Sequence, residues 1–203
     1  SPLCFSNVKP ATTVEAPLTA RGIVLFGAGK PIVLCVADYV VIANESHDRW
    51  REALAEAAGT EPKRVSMHVI HNHDSPGYDL SAMRLLEKRG LTDVMARRRA
   101  HDEAIEKTAG RLRSALSNRV SVTHVSTGSA AVREFASNRR LLGPDGRVAI
   151  TRFSASRKQE AITAPEGVID PDLDMVVFWS DDTPVAALSF YACHPQSYYG
   201  RGG

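Results

Sequence analysis

Residues 65–77 read VSMHVIHNHDSPG, and three histidines, His68, His71 and His73, crowd the end of an apolar run. Neutral imidazole is both a metal ligand and a proton carrier near neutral pH. The apolar run predicts a strand over 64–71. Side-chain alternation along a strand would put Val65, Met67, Val69, His71 and His73 on one face and His68 on the other. His71 and His73 are then the candidate metal-binding or catalytic pair, and His68 reads as a satisfied structural residue. Asp74-Ser75-Pro76-Gly77 supplies the turn that follows. A second histidine closes another apolar run, Tyr191-Ala192-Cys193-His194-Pro195-Gln196-Ser197. Two strands that each end in histidine and a turn can bring both imidazoles to one rim of a sheet. His71 and His194 would supply two of the roughly three protein ligands of a catalytic zinc. Taken singly, His194 reads better as a polar residue capping a strand end; taken with His71, metal binding and capping stand about even. The third segment is Ala136-Ser137-Asn138-Arg139-Arg140. An arginine among small polar residues can hold a carbonyl or an oxyanion by charge-assisted hydrogen bonds, although composition alone favours an exposed surface side chain. His47, His101 and His124 lie in helical or alternating contexts and read as structural or solvent-facing.

The elements that must position these residues follow from periodicity. Apolar runs at 23–26 and 32–36 flank Gly27-Ala28-Gly29-Lys30-Pro31 and predict a hairpin. The second run continues through Val40-Val41-Ile42 with Asp38 inside it, an acid that must be paired or face a site. Trp50, Ala53, Leu54 and Ala57 keep helical spacing, so a helix over 47–58 is predicted, with Asn44 and Ser46 as caps and Gly59 as its end. The order is then β–α–β, and the histidine motif falls at the carboxyl end of the second strand, where open α/β sheets keep their ligands. A long helix is predicted over 92–117 from Ile105, Ala109, Leu112 and Leu116. Strands are predicted at 119–126, Met175–Trp179 and Val185–Cys193, the last two joined as a hairpin. Residues 133–172 read as loops. The fold class expected is α/β, with mixed β-sheets flanked by helices, in one domain over 1–203.

The chain has 203 residues, with 25 Lys and Arg against 23 Asp and Glu. A formal charge of +2 leaves no basic excess for phosphates, which argues against an electrostatic nucleic-acid binder. The one basic cluster, Arg97-Arg98-Arg99, is followed by acids and reads as a solvated helix face. No run reaches the ~18 apolar residues of a membrane span, and no secretory leader pattern opens the chain. The compartment is left open. Cys4, Cys35 and Cys193 form no paired motif, and the latter two read as buried thiols in strands.

HNHDSPG resembles the HTHSGPG-type segment of the neutral (non-lysosomal) ceramidases. ASNRR resembles that family's Asn-Arg segment, and YACHPQSYY its ACHPT- or THPTS-type segment. The order of elements resembles it too, along most of the chain, with short bacterial ceramidase-like proteins nearest in pattern. The resemblance implies that His71 and His194 are zinc ligands, that His73 is the active-site histidine beside the metal, and that Asn138 and Arg139 contact substrate. The implied activity is hydrolysis of the amide of an N-acylsphingosine-like lipid, with Zn2+ activating water and polarising the carbonyl. Asn72, Asp74 and Ser75 depart from the family pattern. The family's further zinc ligands, a Glu and a Tyr, and its active-site Ser fall downstream of the matched region. The expectation is therefore the N-terminal part of a longer hydrolase, or a chain whose site a second polypeptide completes, with Asp38, His73 and Asp170 as in-chain candidates for an extra ligand. The rival readings are a zinc hydrolase of another acyl amide or ester, and a catalytically silent domain that binds a ligand or partner.

Overall fold

The computed structural model describes residues 13, 14, 16–91, 98–153 and 156–195. It divides into two compact units, one over the described residues up to Arg119 and one over those from Val120 to Pro195.

In the first unit, β1 (Ala20–Leu25) and β2 (Ile32–Ala37) form the expected hairpin, paired from Ala20 opposite Ala37 to Leu25 opposite Ile32. From β2 the chain passes through β3 (Val41–Ala43) and α1 (Glu45–Ala58) into β4 (Val65–Val69), which lies parallel to β2. The sheet order is β1-β2-β4. Alternate residues of β2 (Val33, Cys35, Ala37) and of β4 (Val65, Met67) face inward onto Trp50, Leu54 and Ala58 of α1. That match of a period-2 face to a helical stripe is what makes one core from two patterns. Gly59 ends α1 in the left-handed region at φ 67°, its N–H returning to Ala55 and Glu56 carbonyls.

The apolar run after β2 does not continue as one strand. Asp38 breaks it by accepting from the Thr19 N–H at 2.8 Å and the Thr19 hydroxyl at 2.7 Å. β3 instead pairs in parallel with β5 (Gly77–Asp79), which leads into α2 (Leu80–Glu87). The caps expected of α1 differ as well. Asn44 holds the N-cap position without a side-chain cap bond, and donates to the Asp79 carboxylate at 2.7 Å. The Ser46 hydroxyl accepts from the Leu80 N–H at 3.0 Å. Both polar groups therefore tie α1 to the start of α2. The long helix is α3 (Arg98–Ala115); the expected residues 92–97 lie outside the described ones.

In the second unit, β6 (His124–Ala131), β9 (Asp172–Ser180) and β10 (Thr183–Tyr191) form an antiparallel sheet in the order β10-β9-β6. β6 starts five residues later than the 119–126 pattern suggests, because Thr123 serves the turn: its hydroxyl accepts from the Asp181 N–H at 2.9 Å. The stretch read as loops contains the hairpin β7 (Arg140–Leu142) and β8 (Val148–Thr151), turned by Gly143–Gly146, and the short α4 (Gln159–Thr163). Cys35 is buried as expected; Cys193 is exposed, since β10 stops at Tyr191. No helix among the described residues is long and apolar enough to cross a membrane.

Candidate metal centre

β4 ends at Val69, so strand alternation does not bring His71 and His73 together. His71 adopts a left-handed conformation at φ 58°, a region seldom visited by residues other than glycine. That turn swings the His71 ring back onto the Tyr39-Val40 segment, where its Nδ1 lies 2.7 Å from the Val40 carbonyl. A carbonyl only accepts, so Nδ1 carries the proton and the Nε2 of a neutral His71 carries a lone pair. His73 closes on it, with Nε2 3.2 Å from His71 Nε2 and the two rings perpendicular at 4.8 Å between centroids. Between the two nitrogens, His73 is then the donor.

The loop is held by its own polar groups. The Asn72 side-chain oxygen accepts from the Asp74 N–H at 3.0 Å, and the Ser75 hydroxyl, on a fully buried residue, donates to the Asn72 carbonyl. The Pro76 carbonyl accepts from the Val40 N–H at 3.3 Å. Both backbone groups of Val40 are thus engaged by the HNHDSP loop. His68 lies on the outer face of β4, its Nε2 2.7 Å from the Ser66 hydroxyl, in keeping with a structural role.

Imidazole nitrogens of this kind can hold a metal ion. The 3.2 Å between the two Nε2 atoms is a hydrogen-bond spacing while His73 holds its proton there, and would be a shared-ion spacing only with both nitrogens bare. A backbone carbonyl on the far nitrogen is the usual second partner of a metal-binding histidine, fixing both tautomer and ring orientation.

The other predicted residues belong to the second unit. His194 is exposed, three residues past the end of β10, in a stretch where the Cys193 N–H returns to the Tyr191 carbonyl at 3.0 Å. Asn138 precedes β7. Its amide donates to Val168 O at 3.0 Å and its side-chain oxygen accepts from Arg140 N–H at 2.8 Å. Arg139 is exposed, with its guanidinium 4.9 Å from the centre of the Phe153 ring. Sequence reasoning missed Arg152 and Phe153, because loop arginines and aromatics carry no periodic signal.

No family model matches this sequence, and no curated protein does. Two solved structures share its fold. The crystal structure of neutral ceramidase from Pseudomonas aeruginosa superposes with a TM-score of 0.59 at 19% identity, over 90% of this chain. A ceramidase complexed with C2 does so with a TM-score of 0.58 at 20% identity, again over 90%. The fold is ceramidase-like. The chain spans 27% of the length of each of these ceramidases.

Proposed function

We propose that this chain is part of a zinc-dependent amidohydrolase that cleaves an N-acyl amide of the N-acylsphingosine type. The observation that carries the reading is the His71–His73 pair, built on a ceramidase-like fold with its ligand nitrogen oriented by the Val40 carbonyl. His71 and His194 are proposed to hold the metal. Zinc, when bound, supplies Lewis-acid polarisation of a carbonyl and lowers the pKa of water. His71 contributes a lone pair at Nε2, with its own proton kept at Nδ1. His73 carries an exchangeable proton at Nε2, within hydrogen-bond reach of its neighbour, and passes it to the departing amine as a general acid. Arg139 directs guanidinium N–H groups at the substrate carbonyl oxygen. The 27% share of the ceramidases supports reading the chain as a portion of a longer hydrolase, in which further residues complete the ligand set.

Elemental analysis of the full-length polypeptide tests this. About one zinc per chain is expected, lost together with N-acyl amide hydrolysis in His71→Ala and in His194→Ala. A metal-free protein that hydrolyses nothing would leave a ligand-binding domain as the better reading. A substrate panel of acyl amides and esters separates the ceramidase reaction from its neighbours in chemistry.

A further inference from the structure

Arg152 follows β8 and reaches back into the loop that carries Asn138 and Arg139. Its backbone N–H donates to the Arg139 carbonyl at 2.7 Å. Its guanidinium donates to the Asn138 carbonyl from Nε at 3.3 Å and Nη2 at 2.7 Å. The same group reaches Ala164 O at 2.8 Å and Ala161 O at 3.4 Å from Nη1, and Pro165 O at 3.0 Å from Nη2. All these partners are main-chain carbonyls. A planar fork with five donors is the one side chain able to hold four carbonyls at once. Asn138 is locked from the other side too: its N–H donates to Glu166 O at 2.7 Å, and both ends of its side-chain amide are bonded within the loop. The carbonyl on either side of the Arg139 N–Cα bond pair is therefore fixed, while its side chain is left exposed over the face of Phe153. A guanidinium resting on an aromatic face keeps its edge donors available.

We propose that Arg152 and Phe153 are the positioning residues of Arg139: Arg152 fixes the backbone from which Arg139 projects, and Phe153 is the shelf that sets the direction of its guanidinium. Asn138 is a strut of the same scaffold. This rests on the proposed reading of Arg139 as a substrate-orienting group. Arg152→Lys keeps the charge and removes the fork, so it tests the device without removing a cation.

Two readouts on the full-length polypeptide decide the matter. The first is NMR of the Arg139 side chain, whose Hε and Hδ signals carry a ring-current displacement from Phe153. In Arg152→Lys that displacement is expected to collapse toward the free-arginine position; an unchanged displacement overturns the proposal. The second is a double-mutant cycle with Arg139→Ala, read in kcat/KM on a fluorogenic N-octanoyl amide. Arg152→Lys should cost roughly tenfold when Arg139 is present and less than about twofold when it is Ala. Equal losses in both backgrounds would mean a merely structural role and overturn it. Should Arg152→Lys fail to fold, Phe153→Leu enters the same cycle with the same two outcomes. A wild-type protein that hydrolyses no amide, while Arg152→Lys still loses the ring-current displacement, sinks the proposed reaction and upholds the positioning.

Discussion

His71 shows how a single backbone angle can build a site that side-chain alternation predicts for the wrong reason. The sequence pattern puts His71 and His73 on one face of a strand. The strand has ended, and a left-handed His71 delivers the pair instead. The candidate pair was legible because both histidines lie within one short stretch of the sequence. The φ angle was not legible, because it is set by tertiary bonds to Val40. Those bonds depend on a buried hydroxyl. Ser75 is 0% exposed and its Oγ is bonded to the Asn72 carbonyl. Ser75→Ala removes the donor to a half-buried carbonyl, which costs about 0.5–1.5 kcal/mol. Urea unfolding is expected to show that loss. Zinc affinity should fall alongside it, because the loop carrying His71 loosens. Unchanged affinity in a destabilised variant would show that the Val40 contact alone orients the imidazole.

At the scale of elements, the packing of α1 against α3 turns on another histidine. His101 is 0% exposed, and its ring lies 6.5 Å from Trp50 and 4.9 Å from Tyr78 between centroids. Its Nδ1 is 3.3 Å from the Asp102 carboxylate, which is itself paired with Arg49 at 2.8 Å. Burial depresses the imidazole below its usual value of 6.5 against the pull of Asp102, and the Arg49 and Arg98 charges add to the depression. Below the unfolded pKa, the unfolded chain therefore binds a proton that the folded one refuses. Stability is full above about pH 6.5 and falls as the pH drops from there toward the folded value. Chemical denaturation between pH 7.5 and 5 should show this slope, and His101→Phe should flatten it. A slope that survives the substitution would assign the acid sensitivity elsewhere. The helices themselves were readable, since Trp50 and Leu54 on α1 and Ile105 and Ala109 on α3 keep helical spacing and are buried. The α1 caps were not, because Asn44 and Ser46 are drawn into bonds with Asp79 and Leu80, about 35 residues away in sequence, and local propensity is silent about such partners.

Over the whole molecule, apolar burial is distributed unevenly. Trp50, Leu54 and Val33 in the first unit are between 0% and 1% exposed, whereas Ala161 is the buried hydrophobic residue of the second among those described. The sheet β10-β9-β6 presents Val125 at 51% and Phe190 at 55% exposure, and every residue of β6 is exposed. The β9–β10 hairpin was legible because alternation and a Pro-containing turn are local signals, and so was α/β character. What covers a sheet is not a local property, and the exposed Cys193 marks where the apolar pattern overstated burial. A sheet with little buried area resists opening only through its ladder of hydrogen bonds, so its opening free energy lies toward the low end of the range for a domain. Hydrogen exchange followed by mass spectrometry on this chain should therefore find amides of β2, β4 and α1 exchanging slowest and those of β6 fastest among the strands. A continuous partner laid over β6, β9 and β10, whether a second polypeptide or a further segment of the same protein, would remove water from the faces that Val125 and Phe190 now present, and would raise protection there first. If β6 is as protected as β2 in the chain alone, the sheet is stabilised by something other than apolar burial, and the uneven distribution of core carries no consequence for local stability.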